Sequence, residues 1–338
     1  MLLKRTNHPS SGKIMPSMIY MFSARALTYK RRTDICKFRC HQIMPAYSCP
    51  RAVVYRFSQR IKMFSRTGVK YAVSRRPLIV VDFDETVTVK DTISILARFS
   101  YARNLPTDIP PWSHFTTAYM KDYGRLKSVN SARQITTLED KTEQLAALKP
   151  VELASLDRVS KAGVFARLTK QEIQAGAKEM VQVRDHAQQV LLSNIENVFI
   201  LSVNWSKDWI LGALKPLPFL PSSILSNDLV FDQGISTGQI IPSIVTADDK
   251  LKVFRQIQNA DAWPYSIYIG DSETDLPCLV NADIGIVFGT SLINTCKQLG
   301  IELVDAKKVP SLDIKQDRHT LYHTVDWADI ANLLKDTT

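Results

Sequence analysis

Four short apolar runs, each ending in polar residues or glycine, constrain the fold of this chain more than any other feature. They are "PLIVVDFDET" from Pro77, "NVFILSVNWS" from Asn197, "YSIYIGDSETD" from Tyr265 and "ADIGIVFG" from Ala282. A strand that is apolar at every position is buried on both faces, and such strands belong to parallel sheets with helices above and below. Helical patterns fall between the last three runs, notably from Ala247 to Ile257, and Asp275 to Val280 opens another. The expected fold is therefore α/β, a doubly wound, Rossmann-like parallel sheet. Ligands bind such sheets beyond the carboxyl ends of the strands, and Asp82, Ser202 and Asp271 all fall there.

About 110 residues separate Thr88 from Ser202, far more than a crossover between parallel strands needs. The stretch is rich in helical patterns, from "DTISILARFS" through "WSHFTTAYMKDYGRL" and "LEDKTEQLAALKPVELASLDRVSKAGVF" to "TKQEIQAGAKEMVQVRDHAQQVLL". Most of it is expected to form a separate helical cap over 92–175, inserted into a core made of 78–91 and 176–338. The last helix, ending near Leu192, returns to the sheet. "DLVFDQGISTGQIIP" reads as a hairpin near the sheet edge, with Gly234 and Gly238 as turn residues.

Charge divides the chain unevenly. Residues 1–77 hold 17 Lys and Arg against one acidic residue, Asp34, whereas the rest holds 26 against 32. The overall +10 thus belongs to the N-terminal quarter. That basic, acid-poor composition reads as an organelle transit peptide and points to the mitochondrion. Translation from Met63 would instead leave a cytoplasmic protein. A nucleic-acid-binding arm and a disordered extension are the other readings of the same segment. Five cysteines in 338 residues are no disulfide framework. Cys36, Cys40 and His41 lack the second pair of ligands that a zinc site requires. No apolar run approaches the roughly 20 residues of a membrane span.

Asp82 and Asp84 stand one residue apart at the end of the first run. Like charges that close raise one another's pKa unless a cation lies between them or one keeps a proton. Hydrolysis of a phosphate monoester has a use for both: a nucleophile, an acid for the departing oxygen, donors for the phosphoryl oxygens and a cation. Asp82 supplies the nucleophile in this reading, and Asp84 protonates the leaving group and then deprotonates water. Ser202 and the N–H groups after it donate to the phosphoryl oxygens, and Lys250 neutralises their charge. Asp82, Asp271 and the backbone carbonyl of Asp84 are oxygen ligands suited to Mg²⁺, with Asp275 supporting that shell.

These residues resemble the haloacid dehalogenase-like hydrolase superfamily across nearly all of 78–338, in the phosphoserine phosphatase-like branch with a helical cap. The first motif is Asp82-Phe83-Asp84-Glu85-Thr86, the second Ser202, the third Lys250, and the fourth Gly270, Asp271 and Asp275. "FILSVNWSKDWI", "FDQGISTGQI" and "YIGDSETDLPCLVNADIGIVFG" are similar to the phosphatase domain of the plant thiamin-phosphate phosphatases. The resemblance implies an aspartyl-phosphate intermediate, Mg²⁺ and a small phosphorylated metabolite, with thiamin monophosphate as the leading substrate. No stable nucleic-acid or membrane partner is expected from it. Phosphotransfer to another hydroxyl, as in mutases, and a non-catalytic binding role for the basic segment are the alternatives.

Two positions depart from the family pattern. Glu85 stands where glycine is common, and Val203-Asn204 follow Ser202 where phosphoserine phosphatases have Gly-Gly. The crowding argues against phosphoserine and for a substrate pocket that Asn204 or Trp205 helps to shape, with Thr86 and Val203 also assigned to substrate. From the cap, Trp112 is the pocket candidate, while His114, Phe115, Tyr119 and Tyr123 read first as one packed helix face. His186 reads as a surface or packing residue.

Overall fold

The computed structural model describes residues 76–103, 108–130, 135–260, 263–309 and 319–335. Residues 1–75 lie outside these, and with them the transit-peptide, zinc and nucleic-acid readings of the basic segment.

The four apolar runs are strands β1 (Leu78–Val81), β3 (Val198–Leu201), β7 (Ser266–Gly270) and β8 (Ile284–Phe288), and every residue in them is buried. They lie in one seven-stranded sheet with β4 (Ile224–Leu225), β9 (Glu302–Asp305) and β10 (Thr320–Thr324), in the order β4-β3-β1-β7-β8-β10-β9. All of its pairings are parallel. β1 has β3 on one side and β7 on the other, so the strand order reverses direction across the sheet beside Asp82.

Alternate residues of β1 point to opposite faces, as a strand's period of two requires. Ile79 and Val81 join a core that includes Val190, Trp209 and Ile330. These come from α6 (Ala187–Ser193), α7 (Lys207–Ala213) and α11 (Trp327–Leu334). Leu78 and Val80 join a second core with Phe254, Leu279 and Cys296. Those come from α8 (Ala247–Gln258), α9 (Leu276–Asn281) and α10 (Ile293–Gln298). Helices cover both faces, which is the doubly wound arrangement.

Between β1 and β3 lie α1 (Ile93–Arg103), α2 (Trp112–Asn130), α3 (Leu138–Ala146), α4 (Lys149–Lys161), β2 (Ala166–Thr169) and α5 (Lys170–Met180). Capping residues set several boundaries. Thr137 with Asp140 and Thr169 with Glu172 form reciprocal capping boxes at α3 and α5. The long helical pattern after Leu138 is broken at Ala147-Leu148, just ahead of Pro150 in the first turn of α4.

The hairpin exists, as β5 (Asp228–Asp232) and β6 (Ile235–Ile241), following directly on the edge strand β4, but it does not pair with the parallel sheet. It forms its own antiparallel sheet in the order β2-β6-β5, with the inserted segment supplying β2. Gly238 is required there: its φ is +86°, and an added Cβ would stand 2.9 Å from the Gly163 Cα. Among the described residues no helix is long and apolar enough to cross a membrane.

Candidate active site

Parallel pairing brings the strand ends level, because Val81 lies opposite both Ile200 and Ile269. Asp82, Ser202 and Asp271 therefore emerge side by side. The Asp82 N–H donates to the Ile269 carbonyl at 2.9 Å, which continues the ladder one residue past β1 and fixes the backbone under its carboxylate.

Lys250, in the first turn of α8, is 1% exposed. Its Nζ donates to Asp82 Oδ1 at 2.6 Å and to Asp275 Oδ1 at 2.7 Å. Asp275 is held on all sides: Oδ1 also accepts from the Tyr268 hydroxyl, and Oδ2 accepts from the backbone and hydroxyl of Ser272. Gly270 makes room for it, since a Cβ there would lie 2.5 Å from the Asp275 Cγ. Asp271 Oδ1 accepts from Thr86 Oγ1 at 2.8 Å. Thr86, assigned to substrate from sequence, thus meets a carboxylate.

Asp82, Asp271 and Asp275 each bring one carboxylate oxygen within 4.8 Å of the others. Burial and mutual repulsion push Asp82 up to about 8, against the pull of Lys250, and raise Asp271 well above the usual carboxylate range for the same two reasons. Three buried carboxylates that repel one another, with only one lysine among them, suit a hard divalent cation with oxygen ligands.

Asp84 is turned away from that cluster. Its Oδ1 accepts the Thr92 N–H and its Oδ2 the Asn204 amide, both at 2.8 Å, and burial raises its pKa. Asn204 also donates to Thr92 Oγ1 at 2.9 Å. Asn204, read as a pocket residue, is thus bonded to the second carboxylate of the pair. Ser202 is fully buried, and its Oγ accepts the Asn204 N–H at 3.0 Å in a side-chain turn. The Val203 carbonyl is held by Asn227 Nδ2.

Glu85 has φ +60°, in the left-handed region, which is the physical reason glycine is favoured at this position. The Arg184 guanidinium donates to its carbonyl at 2.9 Å while stacked over the Phe288 ring, 4.8 Å from the centroid. Trp112 is half-buried, with its ring centroid 5.9 Å from that of Phe115 and 6.0 Å from that of Trp205. Phe115 and Tyr119 are buried, as a packed helix face predicts, while His114 and His186 are exposed.

Sequence reasoning missed Thr92, Tyr268, Ser272, Arg184 and the Lys141–Glu273 ion pair. Lys141, on α3, meets Glu273 at 2.6 Å with both side chains buried, and so ties the inserted segment to the loop that carries Asp271 and Asp275. A threonine ahead of an apolar helical pattern was a visible signal for Thr92. Nothing in the sequence distinguishes Lys141 from a solvated helix lysine.

A family model described as haloacid dehalogenase-like hydrolase matches residues 79–280. Cold tolerance protein 1 of Saccharomyces cerevisiae is 28% identical over 257 residues, which cover 65% of this chain and 79% of that protein. A CTO1 family protein of Schizosaccharomyces pombe is 28% identical over 278 residues, covering 75% and 97%. The mitochondrial bifunctional TH2 protein of Arabidopsis thaliana is 26% identical over 300 residues, covering 75% of this chain and 48% of its own length. This chain therefore spans about half of the plant protein. Among solved structures, a phosphoserine phosphohydrolase-like protein from Francisella tularensis aligns with a TM-score of 0.46 at 15% identity, over 75% of this chain and 98% of that one.

Proposed function

The chain belongs to the haloacid dehalogenase-like hydrolase family, and we propose that within it this protein is a Mg²⁺-dependent phosphatase of a small phosphorylated metabolite, working through an aspartyl-phosphate on Asp82. The observation that carries this reading is the placement of Asp82: buried, at the switch point of the sheet, bonded to Lys250 and within reach of Asp271.

The roles follow from the contacts. Asp82 attacks phosphorus, forming the O–P bond as the bond to the leaving oxygen breaks. Asp84, raised by burial and oriented by Thr92 and Asn204, gives its proton to that oxygen and then takes one from the water that cleaves the acyl phosphate. Lys250 holds Asp82 and Asp275 in place and offsets the negative charge of the incoming phosphoryl group. Ser202, whose Oγ accepts the Asn204 N–H, would give its own hydroxyl hydrogen to a phosphoryl oxygen, with the free N–H groups beyond it as further donors. Asp82, Asp271 and the Asp84 carbonyl would hold Mg²⁺, with Asp275 behind them, and the ion would neutralise phosphoryl charge. Thr86 acts by orienting Asp271 rather than by touching substrate. Val203 and Trp112 shape the entrance, with the segment 92–175 serving as cap to the core of 78–91 and 176–338.

The likeness of Phe199–Ile210 and Tyr268–Gly289 to plant thiamin-phosphate phosphatases makes thiamin monophosphate the first substrate to test. The basic segment 1–77, together with the mitochondrial label of the Arabidopsis thaliana relative, supports a mitochondrial location. Failure of residues 1–77 to carry a fused reporter into mitochondria would move the protein to the cytoplasm.

The deciding assay follows phosphate release with Mg²⁺ from thiamin monophosphate, pyridoxal phosphate, phosphoserine and sugar phosphates. Asp82→Asn is expected to lower kcat/KM on every substrate by at least about a thousandfold, roughly 4 kcal/mol of transition-state stabilisation, with the circular dichroism spectrum retained. Retained turnover in Asp82→Asn sinks the mechanism. Phosphate appearing on an added alcohol instead of in solution would make the protein a transferase.

A further inference from the structure

Two consecutive carbonyls of the turn after Asp82 are held by residues far away in the chain. The Glu85 carbonyl accepts from the Arg184 guanidinium and the Thr86 carbonyl from the Trp327 indole N–H, each at 2.9 Å. Arg184 lies between α5 and α6, and Trp327 opens α11, 241 residues from Thr86. The two donors meet through Phe288, the last residue of β8. The guanidinium stands 4.8 Å over the Phe288 centroid, and the Trp327 ring is 5.9 Å from it on centroids. Phe288 and Trp327 are each 1% exposed. The backbone of Arg184 is fixed as well, its N–H donating to the Val87 carbonyl while Val183 pairs with Thr88.

The turn needs holding. Glu85 has φ +60°, a conformation that a residue with a side chain keeps only where its surroundings impose it. That angle orients the peptide joining Asp84 to Glu85, whose carbonyl is a candidate Mg²⁺ ligand. One residue on, Thr86 is fully buried and donates to Asp271 Oδ1 at 2.8 Å. The Glu85–Thr86 backbone therefore governs two of the oxygen groups assigned to the cation. The family model ends at residue 280, so Phe288 and Trp327 lie beyond the segment by which the family is recognised.

We propose that Arg184 and Trp327 are positioning residues for the cation: braced across Phe288, they hold the Asp84 carbonyl and Asp271 in the arrangement that Mg²⁺ needs. The C-terminal helix thereby sets the metal affinity of a site built at the other end of the described chain. The identity of the cation rests on the phosphatase reading. Neither residue touches the reacting atoms, and their effect runs through the metal, as it does for groups that stand behind metal ligands. An indole suits the task, since it offers one donor and no acceptor on a large apolar ring. Arg184 has a second, opposing property. Its charge is close enough to act on Asp271, and a bystander cation there would weaken Mg²⁺ binding. Positioning and mere charge thus predict opposite signs when the guanidinium is removed.

The test titrates the full chain with Mg²⁺ alone, by calorimetry, in the wild type and in Trp327→Phe, Arg184→Met and Ile330→Val. Trp327→Phe keeps a ring beside Phe288 and removes the donor. Ile330→Val trims the same helix in the same core and removes no hydrogen bond. Mg²⁺ should bind Trp327→Phe and Arg184→Met at least about tenfold more weakly than the wild type, and Ile330→Val within about twofold of it. Amide hydrogen exchange supplies a reading that needs no metal. The Val87 and Thr88 N–H groups close the turn on the Phe83 carbonyl, and their exchange should quicken about tenfold in Trp327→Phe but not in Ile330→Val. Equal Mg²⁺ affinity, or equal exchange, in those two variants overturns the proposal. So does tighter Mg²⁺ binding by Arg184→Met, the outcome for a bystander charge. If no ester is hydrolysed while the affinities and exchange rates separate as expected, the phosphatase reading fails and the positioning role stands. A wild type that binds no Mg²⁺ overturns the positioning role and removes the cation from the phosphatase reading.

Discussion

Asp275 is fully buried and Glu152 half-buried, and the chain treats the two carboxylates in opposite ways. Asp275 accepts from four donors: Lys250 on α8, Tyr268 on β7, and the backbone and hydroxyl of Ser272 in the loop that follows β7. Among the described residues, Glu152 accepts from the Tyr119 hydroxyl on a helix of the inserted segment and pairs with no basic side chain. The first region is completed by the fold itself. The second rests on one neutral donor. The contrast separates a carboxylate fixed by a network where the strands end from one held by a single neutral donor in the insertion.

The sharpest way to break this contrast is Lys250→Met. Removing the cation leaves Asp82 and Asp275 buried without it, and loss of one partner from a buried ion network costs about 3–5 kcal/mol. Urea unfolding should show a loss of that size, and phosphate release should vanish with it. A loss below about 1 kcal/mol would mean that the strand ends are as loosely committed as Glu152. Gly270→Ala comes next. Its Cβ would meet the Asp275 Cγ at 2.5 Å, and overpacking of this kind costs about 1–3 kcal/mol. The same denaturation experiment reads it, and an unchanged midpoint would show that Asp275 is free to move.

The smallest effect belongs to Glu152. Its folded pKa of about 8 lies above the unfolded value near 4.5, so the native state binds the proton more tightly. Stability from this group is fully present below the lower value and is lost as pH rises through the upper one. The Tm of the wild type should therefore fall relative to Glu152→Gln between pH 5 and 8, by a few degrees. A constant difference across that range would show that Glu152 ionises as freely in the fold as in water.

The strands that position Asp82, Ser202 and Asp271 were legible because a doubly covered parallel strand is apolar at every residue, and LIVV, VFIL, SIYIG and IGIVF have no other reading. Strand β9, "ELVD", and β10, "TLYHT", were not, since neither is continuously apolar. β2 was hidden for a related reason: "ARLT" has no periodicity of its own and becomes a strand by pairing with β6. The same limit governs the site. Asp82, Asp84, Lys250 and Asp271 announce themselves by motif, whereas Thr92 and Tyr268 matter through contacts with Asp84 and Asp275 that no spacing encodes. Glu152 reads as an ordinary helix glutamate until Tyr119 meets it.

The order of strands in the sheet has a further consequence, for how the molecule is made. β1 leaves the ribosome first among the strands, yet its neighbours β3 and β7 follow about 120 and about 190 residues later. Until both exist, Leu78–Val81 is an apolar segment with two open hydrogen-bonding edges, the condition in which chains pair with one another instead of with themselves. Contacts this distant in sequence also form slowly. Nascent chains that stop short of Gly270 would lack the second neighbour altogether, so the carboxylates at the end of β1 come together only after most of the protein has been synthesised.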